Sequence, residues 1–561
     1  MAKTFRQIKN LSSLGIIFIL LLAAFLRLWK INSLPPGPFG DEIDVGYQAY
    51  SILHTGRDYM GQLLPTYIHS VAEWRAPFFI YSAVPFVALF GLNEFGVRFS
   101  AVFFGILGIL LLYLLVKELL SNQRVALLSA FVLAISPWHI HYSRVAFEVT
   151  LLISLFLAGV LFFIKGFKDK RFLLPAAVIL ALTPYTYSTA SLFLPLLLLS
   201  ILIIFKEKIL KLDKKWIFLS MFFAFIVLLP FLGSLISGEA SHRISVISIF
   251  SDPNVINDIN IKRNEVVRVS EQLFHNKATA YTKIFTQNYL SAFSPQFLFL
   301  NGDPNPRQSA GAMGELYLIF LPLLLLGIWK TSMDYKKESS QLIMSWLIFS
   351  PIPSALTQGG GTHATRLFLM LPPLTILIGV GISQIFLLKH KALRIFSLTI
   401  IGVLLVIQVS FFLHQYLFHY NQESWIWWQV GYKEPMTYIA DHGSEYDRIF
   451  LNNSEPSLVR FLFWTKYDPV RFQRLFTGDQ GQQNILPGFD GFKLDKYYFG
   501  TLSKEGKLDA LLDPKTLYLI SQKAEVPGDW DWRTSPPAGV KVLMTSTSPT
   551  GSPLFYLVTA Q

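Results

Sequence analysis

Apolar residues in this chain come in long blocks separated by short polar segments. Eleven blocks, at 13–30, 96–117, 125–138, 147–164, 172–186, 190–205, 216–236, 315–329, 341–356, 366–388 and 395–415, predict membrane-spanning helices. The two shortest are expected to be extended by their flanks. A further apolar stretch, "APFFIYSAVPFVALFGL" (76–92), is long enough to compete for a place among them. Beyond residue 415 the pattern changes. Apolar density falls, and "DRIFLNN", "TLYLISQ", "VKVLMTS" and "LFYLVTA" read as strands, with "EPMTYIADHG" and "EPSLVRFLFW" as helices between some of them. The pattern predicts a polytopic α-helical membrane protein of about 11 transmembrane helices. It carries juxtamembrane helices and a small extracytoplasmic α/β C-terminal domain. The expected domains are 1–415, with outer loops 31–95 and 237–312, and 416–561.

Charge sets the topology. One set of loops carries "TFRQIK", "KELLSNQR", "KGFKDKR", "KEKILKLDKK", "KTSMDYKK" and "KHKALR"; the other carries "DEID", "HYSRVAFE", "TPYTYSTA", 237–312, "TQGGGTHATR" and the tail. Short basic loops belong to the cytoplasm, and this division holds only if 76–92 lies at the interface without crossing. The expected location is therefore the cytoplasmic (inner) membrane, with the N-terminus inside and the C-terminal domain outside. The basic "MAKTFRQIKN" before the first run resembles a signal peptide, but no small-residue cleavage site follows, so it reads as an uncleaved first helix. Hydrophobic residues make up 52% of the chain and charged residues 15%, which excludes an ordinary soluble domain. The net charge of +12 lies in short clusters between apolar runs, which argues against a nucleic-acid partner. Cysteine is absent, so neither disulfides nor cysteine-ligated metals are available.

Candidate chemistry gathers at the outer ends of the spans. Asp41, Glu42 and Asp44 follow the first run after a Pro/Gly break and open a short amphipathic helix carrying Tyr47, Tyr50, Ser51 and His54. A helix cap accounts for one carboxylate there, not for three within four residues. Arg144 and Glu148, in "WHIHYSRVAFE", read either as a helical surface pair or as a phosphate grip with a carboxylate beside it. Arg98 reads either as a phosphate ligand or as a side chain snorkelling to headgroups. In "TQGGGTHATR", His363 and Arg366 collect donors at the start of a span, as an anion site or as a polar hairpin. Asp303 and Arg307 sit in the turn-rich "NGDPNPRQSAGAMGE". Carboxylates and phosphate-compatible cations at one membrane boundary point to a lipid phosphate substrate.

Taken in order, "DEIDVGYQAY", "WRAPFFIY", "LFGLNEFGVRFSAV" and "SPWHIHYSRVAFE" resemble the GT-C membrane glycosyltransferases. The resemblance is to the family 39 group of dolichyl-phosphate-mannose protein mannosyltransferases and bacterial aminoarabinose–lipid A transferases. It covers roughly residues 13–370, and the tail lies outside it. It implies a GT-C fold, a polyprenyl-phosphate sugar donor, and a lipid, protein or cell-wall glycan acceptor, with membrane lipids around them. Asp41 is then the catalytic base, supported by Glu42 or Asp44. Arg98 and Glu148 match further functional positions, and Arg98, Arg144 and Arg366 would hold the phosphate during a displacement that inverts C1. The chain has Arg75-Ala76-Pro77 where relatives often carry a basic residue followed by Pro-Pro. Some relatives hold a metal near that motif, so a divalent metal at Glu73, His69 and His54 stays open and no cofactor is certain. The rival reading is a transporter or flippase of lipid-linked or anionic solutes. It predicts mid-membrane charges and repeated halves, and the sequence has neither.

Overall fold

Gly327 and Gly381 bring two of the membrane helices into backbone contact. A Cβ on either would lie 1.9 Å from a carbonyl oxygen of the other helix, Leu377 or Leu323, so Phe320–Met333 and Leu371–Phe386 pack as closely as helices can. The computed structural model describes residues 2–71, 73–266, 268, 272–311, 313–454, 456–476, 482–503 and 506–561. Every predicted span contains a helix, including Ala2–Leu28, Glu94–Leu120, Gln123–Ile135, Val149–Gly166, Ser188–Ile204 and Lys214–Ile236. Among the described helices, five are long and apolar enough to cross a membrane on length and composition. Residues 267 and 269–271, within the expected loop 237–312, lie outside the described residues. So does Glu455, which opens a predicted helix found at Leu458–Trp464.

Sidedness follows from packing. Gly15 of the first helix faces Leu127, near the start of Gln123–Ile135, and Arg27 donates to the Ala134 carbonyl (3.0 Å) near its end. The two helices therefore run parallel, which puts the N-terminal end of the first beside the basic loop after Glu94–Leu120. Lys168 pairs with Glu118, Lys170 with Asp213 (2.7 Å) and Lys208 with Glu338, which gathers the basic loops on that face. Residues 29–71 and 73–93 lie on the opposite face, the one expected to be outside. The stretch at 76–92 forms Phe78–Phe90, and because the first span ends on that face and Glu94–Leu120 starts there, it does not cross.

On that face, helix Gly40–Thr55 is held between the membrane bundle and the C-terminal domain. A Cβ at Gly46 would approach Phe463 to 2.6 Å and Val97 to 2.7 Å, so glycine permits contact on both sides. A two-strand ribbon, β1 (Ile68–His69) and β2 (Trp74–Arg75), pairs antiparallel in the same loop. The helix beginning at Lys391 passes residue 416 and runs to Trp428, and Gln429 ends it in the left-handed region (φ 53°).

The tail then folds around a seven-stranded sheet. Its strands are β3 (Arg448–Asn452), β4 (Gln482–Leu486), β5 (Phe489–Leu494), β6 (Tyr497–Leu502), β7 (Thr516–Ser521), β8 (Val540–Thr547) and β9 (Pro553–Ala560). The order is β4-β5-β6-β3-β7-β9-β8, with β3 parallel to both β6 and β7 and the outer pairs antiparallel. The four predicted strands are β3, β7, β8 and β9. The meander β4–β6 and helix Pro469–Leu475 were not expected from the pattern.

Candidate active site

The three clustered carboxylates have three different environments. Glu42 is fully buried and is the residue that caps the helix: its Oε2 accepts from the Phe39 N–H (3.0 Å). Its Oε1 accepts from the Ala146 N–H (3.0 Å) and from Arg98 Nε (3.0 Å). Asp44 is buried too, and its Oδ1 accepts from Tyr59 (2.9 Å) and Ser70 (2.9 Å). Its Oδ2 lies 2.8 Å from Arg75 Nε. Burial pushes the Asp44 carboxyl up, and Arg75, Ser70 and Tyr59 hold it back. Asp41 differs in being open, with 37% of its side chain exposed against 4% for Asp44. Arg75 Nη2 donates to Asp41 Oδ1 (2.7 Å) and lies 3.3 Å from Glu73. Asp41 Oδ2 makes no hydrogen bond among the described residues. The surrounding protein pushes the Asp41 carboxyl up, but the charge and hydrogen bond of Arg75, then Arg243 and Arg307, more than offset this and hold it below the usual range.

Arg98 and Arg144, expected on a substrate phosphate, are committed elsewhere. Both are buried, and their terminal Nη groups donate mainly to the chain's own carbonyls, while Arg144 Nε has no hydrogen-bond partner among the described residues. Arg98 donates to Ile31 (2.8 Å), Pro35 (3.1 Å) and Gly37 (2.6 Å) besides Glu42. Arg144 donates to Leu26 (2.8 Å), Arg27 (3.1 Å), Trp29 (2.7 Å) and Leu34 (2.9 Å). Together they satisfy the irregular backbone between the first span and Asp41, which would otherwise be buried without partners. The helix start after His363 is closed as well: Asp303 Oδ2 accepts from the Ala364 N–H (2.8 Å), which leaves that donor unavailable to an anion.

Of the remaining expected residues, Glu148 and Arg307 reach Asp41, whereas Arg366 and His363 connect to it only through Tyr187, Arg243 and Arg307. Glu148 stands at the start of Val149–Gly166 without a side-chain capping bond and lines a small cavity with Trp74, Thr186, Tyr187 and Arg243. The charges of Arg243, Arg75 and Asp41 all reach Glu148. Arg307 stacks over Phe39 at 3.7 Å, next to the start of the Asp41 helix. Arg366 donates to Thr357 (2.6 Å) and the Gln358 carbonyl (2.9 Å) and lies beside Tyr187, and His363 contacts Gln308 (3.5 Å).

Three residues of this site were not anticipated. Arg75 is the hub that orients Asp41. Arg243, from helix Glu239–Ile247 of the second outer loop, lies 3.6 Å from Glu73 and over the Tyr187 ring at 5.6 Å. Tyr187 joins Arg243 to Arg366. The donor set does not suit a metal. Glu73 faces Arg75 and Arg243, His69 packs on Trp74 (4.8 Å) and His54 on Tyr50 (4.4 Å). Among the described residues, no three of His, Asp and Glu gather to hold an ion.

A family model described as "Dolichyl-phosphate-mannose-protein mannosyltransferase" matches residues 74–233. No curated protein matches the chain. Among solved structures, ArnT from Cupriavidus metallidurans in the apo state is similar at 12% identity, with 99% of this chain and 98% of that one covered and a TM-score of 0.51. The same protein bound to undecaprenyl phosphate gives 11%, 97%, 97% and 0.50. The archaeal oligosaccharyltransferase AglB from Archaeoglobus fulgidus, in complex with an inhibitory peptide and a dolichol-phosphate, gives 13% identity, 82% of this chain and a TM-score of 0.50. The chain spans 64% of that protein's length. The chain is thus a polytopic membrane protein of the GT-C fold, resembling the mannosyltransferase family over 74–233.

Proposed function

We propose that this protein is a glycosyltransferase that moves a sugar from a polyprenyl-phosphate donor to an acceptor hydroxyl on the outer face of the membrane. The carrying observation is Asp41, an ionised, half-open carboxylate with one oxygen bound to Arg75 and the other uncommitted, in reach of the charges of Arg243 and Arg307. Binding of undecaprenyl phosphate and dolichol-phosphate by the two structural neighbours supports a lipid-linked donor.

The acceptor O–H gives its proton to Asp41 Oδ2 as its oxygen bonds to C1 of the sugar. The C1–phosphate bond breaks on the opposite side, its electron pair leaves with the phosphate, and polyprenyl phosphate is released. Arg243 and Arg307 stabilise charge as it develops on that phosphate, with Arg366 and His363 behind them. Glu148, which has no ion pair among the described residues, binds sugar hydroxyls. No step is routed through a metal. Basic loops on one face support an inner-membrane orientation with that face cytoplasmic and the C-terminal domain outside.

Purified protein in liposomes, given radiolabelled polyprenyl-phosphate sugars and an envelope extract, is expected to label the extract and release polyprenyl phosphate. The product should have the inverted anomeric configuration; recovery of the donor's configuration would overturn direct displacement. The site also sets a pH signature. Asp41 acts as a base only above its pKa, which Arg75 lowers, so activity persists as pH falls and is lost only on crossing that depressed value. Arg75→Gln removes the charge, raises the Asp41 pKa and should shift the acid limb of kcat/KM to higher pH. An unmoved limb would mean another group is titrating.

A further inference from the structure

A second large cavity lies away from Asp41. It has a volume of about 1020 Å³ and opens among the basic loops, at the far end of Glu94–Leu120. That helix starts on the Asp41 face and is 27 residues long, which separates the two sites by about 40 Å. Glycosyl transfer at Asp41 makes no use of it.

Its walls are of two kinds. Deep in the cavity Val125, Ile164, Phe205, Ile343 and Val380, all buried, form an apolar strip from neighbouring membrane helices, with Ser340 and Ser383 beside it. The rim carries five lysines, Lys168, Lys208, Lys330, Lys336 and Lys337, against three carboxylates. Lys168 and Lys208 each have their own partner, Glu118 and Glu338. Lys330 (3.1 Å) and Lys337 (3.2 Å) share Asp334, and Lys336 has no ion pair among the described residues. Two positive charges are therefore left over, and both belong to the short 330–337 segment, directly above the apolar wall.

We infer that this cavity binds an anionic phospholipid, with the phosphodiester on Lys330, Lys336 and Lys337 and an acyl chain against the apolar wall. A free anion would leave the apolar wall in water, and a zwitterionic lipid would bring no net charge to the surplus lysines. A lipid with one net negative charge satisfies both walls. Ammonium groups on flexible stems suit a phosphodiester without demanding a fixed geometry. The same basic loops face the leaflet in which anionic lipids attract lysines. Dependence on charge also makes the interaction sensitive to salt where the rim is exposed.

The test uses the full chain in phosphatidylcholine nanodiscs, titrated with phosphatidylglycerol and followed by thermal unfolding and by lipid retention in native mass spectrometry. Wild type is expected to gain thermal stability and to retain one phosphatidylglycerol per chain. Inorganic phosphate and additional phosphatidylcholine should do neither. The triple variant Lys330→Ala/Lys336→Ala/Lys337→Ala should bind at least about tenfold more weakly. The charge-conserving Lys330→Arg/Lys336→Arg/Lys337→Arg should bind as wild type, which separates loss of the site from loss of the fold. Equal binding by wild type and the alanine variant would overturn the inference, leaving these lysines with a role in topology alone. Stabilisation by inorganic phosphate equal to that by the lipid would overturn it too, in favour of a simple anion site.

Discussion

Asp41→Asn should lower the rate of sugar transfer by about 10²–10⁴-fold, the usual contribution of a positioned general base, with no matching loss of folded protein. The two effects separate because of how the acidic cluster is divided. The start of the helix is capped by Glu42, so the amide at position 41 removes no cap. Arg75 keeps Asp44 and Glu73 as partners and stays in place. What the substitution removes is the proton acceptor at Oδ2. Single-turnover transfer measured beside thermal unfolding tests both halves. If Asp41→Asn transfers sugar as fast as wild type, Asp41 is not the base, and Glu148 becomes the next carboxylate to examine.

Arg98→Met should act on the fold first. It leaves Glu42 buried without its counter-charge and deprives three carbonyls, of Ile31, Pro35 and Gly37, of their donor. Breaking a buried pair by removing one member costs about 3–5 kcal/mol. The loss should appear as a lower unfolding temperature and faster proteolysis at residues 31–39, before any effect on donor affinity. Arg98→Lys should not restore it, since a single ammonium cannot reach acceptors arranged for a planar guanidinium. A different result, with unchanged stability and a raised KM for donor, would return Arg98 to the phosphate and remove its role as a latch.

Much of the architecture was readable along the chain because apolar runs and lysine-rich loops are local signals. Basic clusters alone were enough to keep 76–92 from spanning, and the packing of the first helix against Gln123–Ile135 agrees. Four alternating or continuous apolar segments marked β3, β7, β8 and β9. The β4–β6 meander was missed because its strands are partly polar and carry Gly491 and Gly500; the Pro487-Gly488 turn was the available signal.

At the site, charged residues at span ends were visible as candidates, but their duties were not. Arg98 and Arg144 look in sequence like free cations, because the carbonyls that occupy them lie in another part of the chain. Arg75 was noticed only as a departure from a family pattern, although an arginine in the same outer loop as three carboxylates was a usable clue. Arg243 stands in a polar loop without a motif, and only the fold brings it to Glu73.

The continuous helix Lys391–Trp428 has a mechanical consequence. Its 38 residues measure about 57 Å, nearly twice a hydrocarbon core of about 30 Å. Only 6% of its most apolar stretch is buried, so that part stands apart from the neighbouring helices. Its far end does not: Tyr416 meets His141 (3.0 Å) and Tyr420 donates to the Pro306 carbonyl (2.7 Å), and both side chains are buried. The helix is therefore a strut, free along its middle and bolted at its top, and it fixes where the chain enters the sheet domain.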